Sequence, residues 1–279
     1  MLFRSDAVDR EPRHAMARNA LAGALLETGR IDEAVVSFRE AIRLDPRHAP
    51  SYAGLGRALL AKGELEGALD AFRKDRGGRR GTNGRSPSGG LLREAEQWVA
   101  LNRRLPAVLR GEDRPADSAE LIGFARLCAA SQHYAASARL WSEAFTRRPS
   151  LTDDLKMGHR YAAACSAALA GCGAGKDDPP PDDPGRLRLR RQALDWLKAE
   201  LSSAADLLRN ASSGDRAGLP RRLGRWWVDP ALAGLREDSP LSTLPKLEQD
   251  EFRALWADAE VLRAEVKKSV RPTATGRPF

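Results

Sequence analysis

Residues 15–50, AMARNALAGALLETGRIDEAVVSFREAIRLDPRHAP, and residues 51–80, SYAGLGRALLAKGELEGALDAFRKDRGGRR, say the same thing twice at an offset of 34 residues. Leu21, Ala22, Leu25, Gly29, Ile31, Ala34 and Phe38 of the first copy are answered by Leu55, Gly56, Leu59, Gly63, Leu65, Ala68 and Phe72 of the second. Ala41 alone loses its partner, which becomes Asp75. Leu21 with Leu25, and Leu55 with Leu59, stand at i, i+4 and so share one face of a helix. Thr28-Gly29-Arg30 and Lys62-Gly63-Glu64 interrupt that period where glycine can adopt positive φ, so each copy is predicted to be two helices folded back as a hairpin. Ala22, Gly56, Ala34 and Ala68 are small where the helix axes come closest, and Phe38 and Phe72 fill the space beside them. A hairpin of this kind cannot bury its apolar face alone, so neighbours must stack on it and more helix is expected downstream.

The period, the small residues at two fixed places, the aromatic four residues after Ala34 and Ala68, and the closing Pro46 resemble the tetratricopeptide repeat (TPR) pattern. The resemblance implies an all-α fold: a right-handed solenoid of TPR-like hairpins with a helical C-terminal cap. It also implies that the first helix of each hairpin lines a concave groove whose exposed positions contact extended peptides. Carried onto this chain, those positions hold Asn19, Glu27, Arg57 and Arg126, with the two arginines at equivalent places in the second and third copies. They suggest a small basic ladder suited to carboxylates through bidentate pairing. Ala53 and Ile122 stand where a full clamp for a C-terminal carboxylate would need polar groups, and ordinary solvated surface charge is the competing reading of both arginines.

Residues 1–13 read as a lead-in to the two tandem units at 14–75, and the run RGGRRGTNGRSPSGG at 76–90 as a flexible basic linker. An RNA-binding Gly/Arg segment would want interleaved aromatics and repetition, which this run lacks. At 91–117 a single helix is expected, with Leu91, Ala95, Trp98, Asn102 and Leu105 on one face and Pro106 kinking or ending it, followed by a polar connection. Two TPR-like hairpins are expected over 118–210. The first carries Leu121, Phe124, Ala125 and Cys128, then Tyr134, Ser137, Trp141 and Ala144 before Pro149. The second pairs Leu155–Ala170 with Arg186–Asn210 across an acidic, proline-rich loop at 173–185. Residues 211–268 read as a helical cap, with Phe252, Leu255, Trp256, Ala259, Leu262 and Val266 as the stripe of its last helix, and 269–279 as a disordered tail.

A wider resemblance rests on HRYAAACSAALAGCG at 159–173, RQALDWL at 191–197 and DPALAGLR at 229–236. These are similar to the C-terminal region of large bacterial serine/threonine protein kinases that carry TPR arrays. The Gly-rich nucleotide loop, V-A-I-K, H-R-D and D-F-G that kinase chemistry requires are not found in this sequence. The resemblance therefore implies either a non-catalytic scaffold in kinase-linked signalling or a detached regulatory region of such a kinase.

Composition bounds the remaining classes. The net charge is +8, which favours an acidic protein or peptide partner; nucleic acid is the alternative, but the cations are not gathered on one helix face with aromatics. The N-terminal MLFRSDAVDR has charges where a secretory signal needs an apolar run, and Tyr161–Gly175 is too short to span a bilayer, so a cytoplasmic protein with no membrane association is expected. Cys128, Cys165 and Cys172 read as reduced, mostly buried thiols. With His159 they make a poor zinc set, since structural zinc wants four ligands in close pairs. The GCGAGK run at 171–176 fails as a phosphate loop because Ala170 replaces the first glycine and Asp177 the Ser/Thr. Asp177, Asp178, Asp182 and Asp183 lack the spacing of a calcium loop and read as a solvated surface run. No catalytic residue, cofactor or metal is expected.

Overall fold

The computed structural model describes residues 3–78, 89–153, 155, 157–210, 212 and 216–270, with side chains from residue 14 onward except those of 76–78 and 270. Among the described residues the chain is helical throughout, without a strand, and it divides into two compact units, Met1–Pro106 and Ala107–Phe279.

In the first unit α1 (Phe3–Glu27) and α2 (Ile31–Leu44) form one hairpin and α3 (Ala49–Lys62) and α4 (Leu65–Gly78) the next, with α2 packed on α3. Gly29 and Gly63 reverse the chain at φ of +79° and +82°, a conformation that costs glycine little. The small-against-ring packing is direct. A Cβ on Gly56 would come 2.5 Å from the Phe72 ring, and Gly54 gives the Phe38 ring the same room. Ala22, Ala34 and Ala68 are fully buried beside them, and Leu92, Ala95 and Val99 of α5 (Gly89–Leu109) complete this core.

Several expectations need correction here. The 1–13 lead-in is helical from Phe3, as the first turns of α1. Arg76–Gly78 and Gly89–Gly90, expected in the 76–90 linker, end α4 and begin α5; residues 79–88 lie outside the described residues. Leu21 is 46% exposed, because α2 and α3 cover the Ala22 and Leu25 side of α1. The buried stripe of α5 runs through Leu92, Ala95 and Val99 rather than Leu91, Trp98 and Asn102, and the helix carries Pro106 inside it to Leu109.

The second unit opens with α6 (Ser118–Ala130) and α7 (Tyr134–Arg147), followed by the hairpin of α8 (His159–Gly171) and α9 (Asp183–Asn210). Asp117 caps α6 by accepting from the Glu120 N–H at 2.9 Å. Ser137, in place of the small alanine, is buried because its Oγ donates to the Ala125 carbonyl at 2.7 Å and meets the Ser166 Oγ at 3.0 Å. Trp141, in place of the phenylalanine, is 1% exposed and stacks on Phe145 with ring centroids 5.7 Å apart. α8 starts at His159 rather than Leu155, since Gly158 sits at φ +64° immediately before it. α9 starts three residues earlier than expected, as Pro184 suits a first helical turn and Asp182 accepts from the Gly185 N–H at 2.8 Å.

The acidic loop is solvated as expected at Asp178, Asp182 and Asp183, which are exposed, but not at Asp177, which is half-buried. Both carboxylate oxygens of Asp177 accept backbone N–H bonds at the start of α7, from Ala135 at 2.9 Å and Ala136 at 3.0 Å, and the Lys176 N–H donates to the Gln132 carbonyl. Beyond α9 come α10 (Leu219–Val228), two one-turn helices α11 (Ala233–Arg236) and α12 (Asp238–Leu241), and α13 (Lys246–Val270). Phe252, Leu255 and Ala259 of α13 enter the main core of this unit, while Leu262 and Val266 join α10 and the end of α9. Residues 271–279, expected as a tail, lie outside the described residues.

Candidate partner-binding groove

On α1, Asn19, Gly23 and Glu27 stand at i, i+4 and so share one stripe; the 34-residue offset places Ala53, Arg57 and Ala61 on the matching stripe of α3. The two stripes are complementary in size. Where α1 has the bare backbone of Gly23, α3 has Arg57, and where α1 has Asn19 and Glu27, α3 has two alanines. A Cβ added at Gly23 would meet nothing within 4 Å, so the surface there is open.

Glu27 and Arg57 are exposed, and neither side chain makes a hydrogen bond or ion pair with any described residue. Asn19 is half-buried and partly committed to the fold, since its Oδ1 accepts from the buried Ser51 Oγ at 3.3 Å, and Ser51 in turn meets His48 Nδ1 at 2.7 Å. Asn19 therefore ties α1 to the first turn of α3. Arg126 is exposed on α6, in the second unit, whereas Asn19, Glu27 and Arg57 belong to the first. Nothing in the sequence signals the Ser51 bond, which joins residues 32 apart across two hairpins.

Two open clefts lie away from this stripe. One, of about 700 Å³ in the first unit, is lined by Pro46, Arg47, Ala49, Tyr52, Asp70, Arg73 and Lys74. The other, of about 610 Å³ in the second unit, has a buried ion pair in its wall: Arg190 donates to both Glu248 oxygens at 2.6 and 3.0 Å and to the Gly171 carbonyl at 2.8 Å. Those charges satisfy one another and leave little to offer a ligand.

The thiols are chemically quiet. Burial pushes Cys128 and Cys165 up to about 12, so neither is a nucleophile at neutral pH. Cys172 corrects the expectation of buried thiols: the residue is exposed, though its Sγ lies so close to Gly234 that a Cβ there would stand 2.6 Å away. Among the described residues no three metal-ligating side chains come together, and no helix is long and apolar enough to cross a membrane.

The tetratricopeptide repeat family model matches residues 3–49 and residues 24–78, so the first unit carries TPR repeats. A solved structure of YrrB, described as a TPR protein with an unusual peptide-binding site, is similar at 12% identity, covering 95% of this chain and 97% of that chain with a TM-score of 0.26. No curated protein matches the chain.

Proposed function

We propose that this protein is a non-catalytic scaffold that holds an extended segment of a partner protein along the α1–α3 stripe of its first unit. The observation that carries this reading is the pair of unengaged, opposite charges, Glu27 and Arg57, at exposed positions of α1 and α3, with the open Gly23 backbone one turn from Glu27. An extended strand can approach such a backbone closely, Arg57 can take a carboxylate in a bidentate pair, and Glu27 can take a cation. The net charge of +8 favours a partner that is acidic overall. A role in kinase-linked signalling rests on the likeness of residues 159–268 to TPR-bearing kinases.

Selection from a displayed peptide library tests the reading. The native protein should enrich acidic peptides, and Arg57→Glu should weaken the selected peptides about tenfold while the helical circular dichroism stays the same. Equal binding by Arg57→Glu removes the groove from the interaction.

A further inference from the structure

The cleft between the α2–α3 turn and α4 is set apart from the α1–α3 stripe by what lines it. Arg47 and Lys74 project into it without a hydrogen bond or ion pair from either side chain to any described residue. Arg73 joins them, and its carboxylate neighbour Asp70 lies only at the limit of pairing, 4.0 Å away. Three cations against one carboxylate leave the lining with a net charge of about +2. The rest of the lining is Pro46, Ala49 and Tyr52, whose hydroxyl donates to the Pro46 carbonyl at 3.2 Å. Ala49 opens α3, a helix start that no side chain caps.

We propose that this cleft binds a phosphate monoester carried by a protein partner. A phosphate monoester bears a charge of about −1.5 to −2 at neutral pH, which matches the lining, whereas one carboxylate would leave a cation unpaired. Two guanidinium forks and one ammonium suit three tetrahedrally arranged oxygens better than a planar carboxylate. The volume, about 700 Å³, accommodates the phosphorylated side chain and its neighbours. A polyanion is a poorer fit. Asp70 lies among the cations of the lining, and Asp45 accepts from the Arg47 N–H at 2.9 Å, so a row of phosphates or an anionic membrane would meet these carboxylates as well as the cations.

The test uses the full chain with three probes: inorganic phosphate, a phosphoserine peptide, and the same peptide with glutamate in place of phosphoserine. Binding is read by calorimetry at low salt and located by backbone amide shift changes. The phosphoserine peptide should bind about tenfold more tightly than the glutamate peptide, and inorganic phosphate should compete with it. Arg47→Gln and Lys74→Gln should each weaken it several-fold, and Asp70→Asn should tighten it, a gain that misfolding cannot produce. Shifts should fall at residues 46–52 and 70–74, and Arg57→Glu should leave phosphate binding intact, which separates this cleft from the groove. Equal affinity for the phosphoserine and glutamate peptides, affinity indifferent to Arg47 and Lys74, or no binding of either phosphate probe overturns the assignment.

Discussion

Trp141 shows what one substitution does to a repeated pattern. It occupies the place that Phe38 and Phe72 hold in the first unit, is 1% exposed, and touches both Phe145 and the His159 ring, whose centroid lies 5.3 Å away. Trp141→Ala removes most of a buried aromatic and leaves a void that rigid helices fill poorly. It should cost about 3 to 5 kcal/mol, read from denaturant unfolding. Glu200 behaves in the opposite sense. It is 2% exposed, its Oε1 has no hydrogen-bond partner among the described residues, and Arg160 reaches its other oxygen only at 3.9 Å. Burial raises its carboxyl above the ordinary range, outweighing the lowering by Arg160 and Arg222. A group raised on folding favours the native state while protonated, and that contribution is lost as pH climbs from the ordinary carboxylate range through the raised value. Thermal unfolding of the native protein should therefore lose stability across that window, and Glu200→Gln should flatten the loss; identical pH profiles would show that Glu200 has no part in it.

At the scale of the element, α7 owes its start to a residue far away in the chain. His133 precedes the helix without a side-chain cap of its own, and Asp177 supplies two acceptors from 41 and 42 residues downstream. Asp177→Ala leaves two backbone donors without that carboxylate at the positive end of the helix, and should cost about 0.5 to 2 kcal/mol in denaturant unfolding. Asp178→Ala, one position along, should cost far less, since no bond ties its side chain to a helix start. The contrast with Asp117 is instructive. Asp117 caps α6 from the position immediately before the helix, so its role is local and legible from the sequence. The Asp177 cap spans two helices and a loop, and an acidic run next to prolines gives no local sign of it.

For the whole molecule, what could be read from the sequence was whatever one repeat contains. Gly56 and Phe72 lie within a single hairpin, 16 residues apart, so their spacing predicts the contact that the structure shows. The all-α class and the hairpin order follow from the same local periods. The long-range ties were hidden because their partners share no period: Ser51 with Asn19, Asp177 with α7, and Arg190 with Glu248 at a separation of 58 residues. The expected stripe of α5 is right at Ala95 and Leu105 and one residue off at Leu91 and Trp98, where Leu92 and Val99 are the buried ones, because adjacent leucines at 91 and 92 leave the choice to the core they join. Net charge also acts at this scale. With +8 on the chain, association with an acidic partner should slow about tenfold as salt rises from about 0.05 to 0.3 M, while dissociation changes little. Stopped-flow mixing separates the two rates, and a salt effect confined to dissociation would count against steering.

The guanidinium of Arg190 belongs to α9, takes the last carbonyl of α8 through Gly171, and holds Glu248 in the first turn of α13. None of these helices can drift from the others without stranding a charge where water is scarce. Their amide protons should accordingly exchange with solvent in a single opening event rather than one helix at a time, which makes this end of the molecule a cooperative block held by one planar cation.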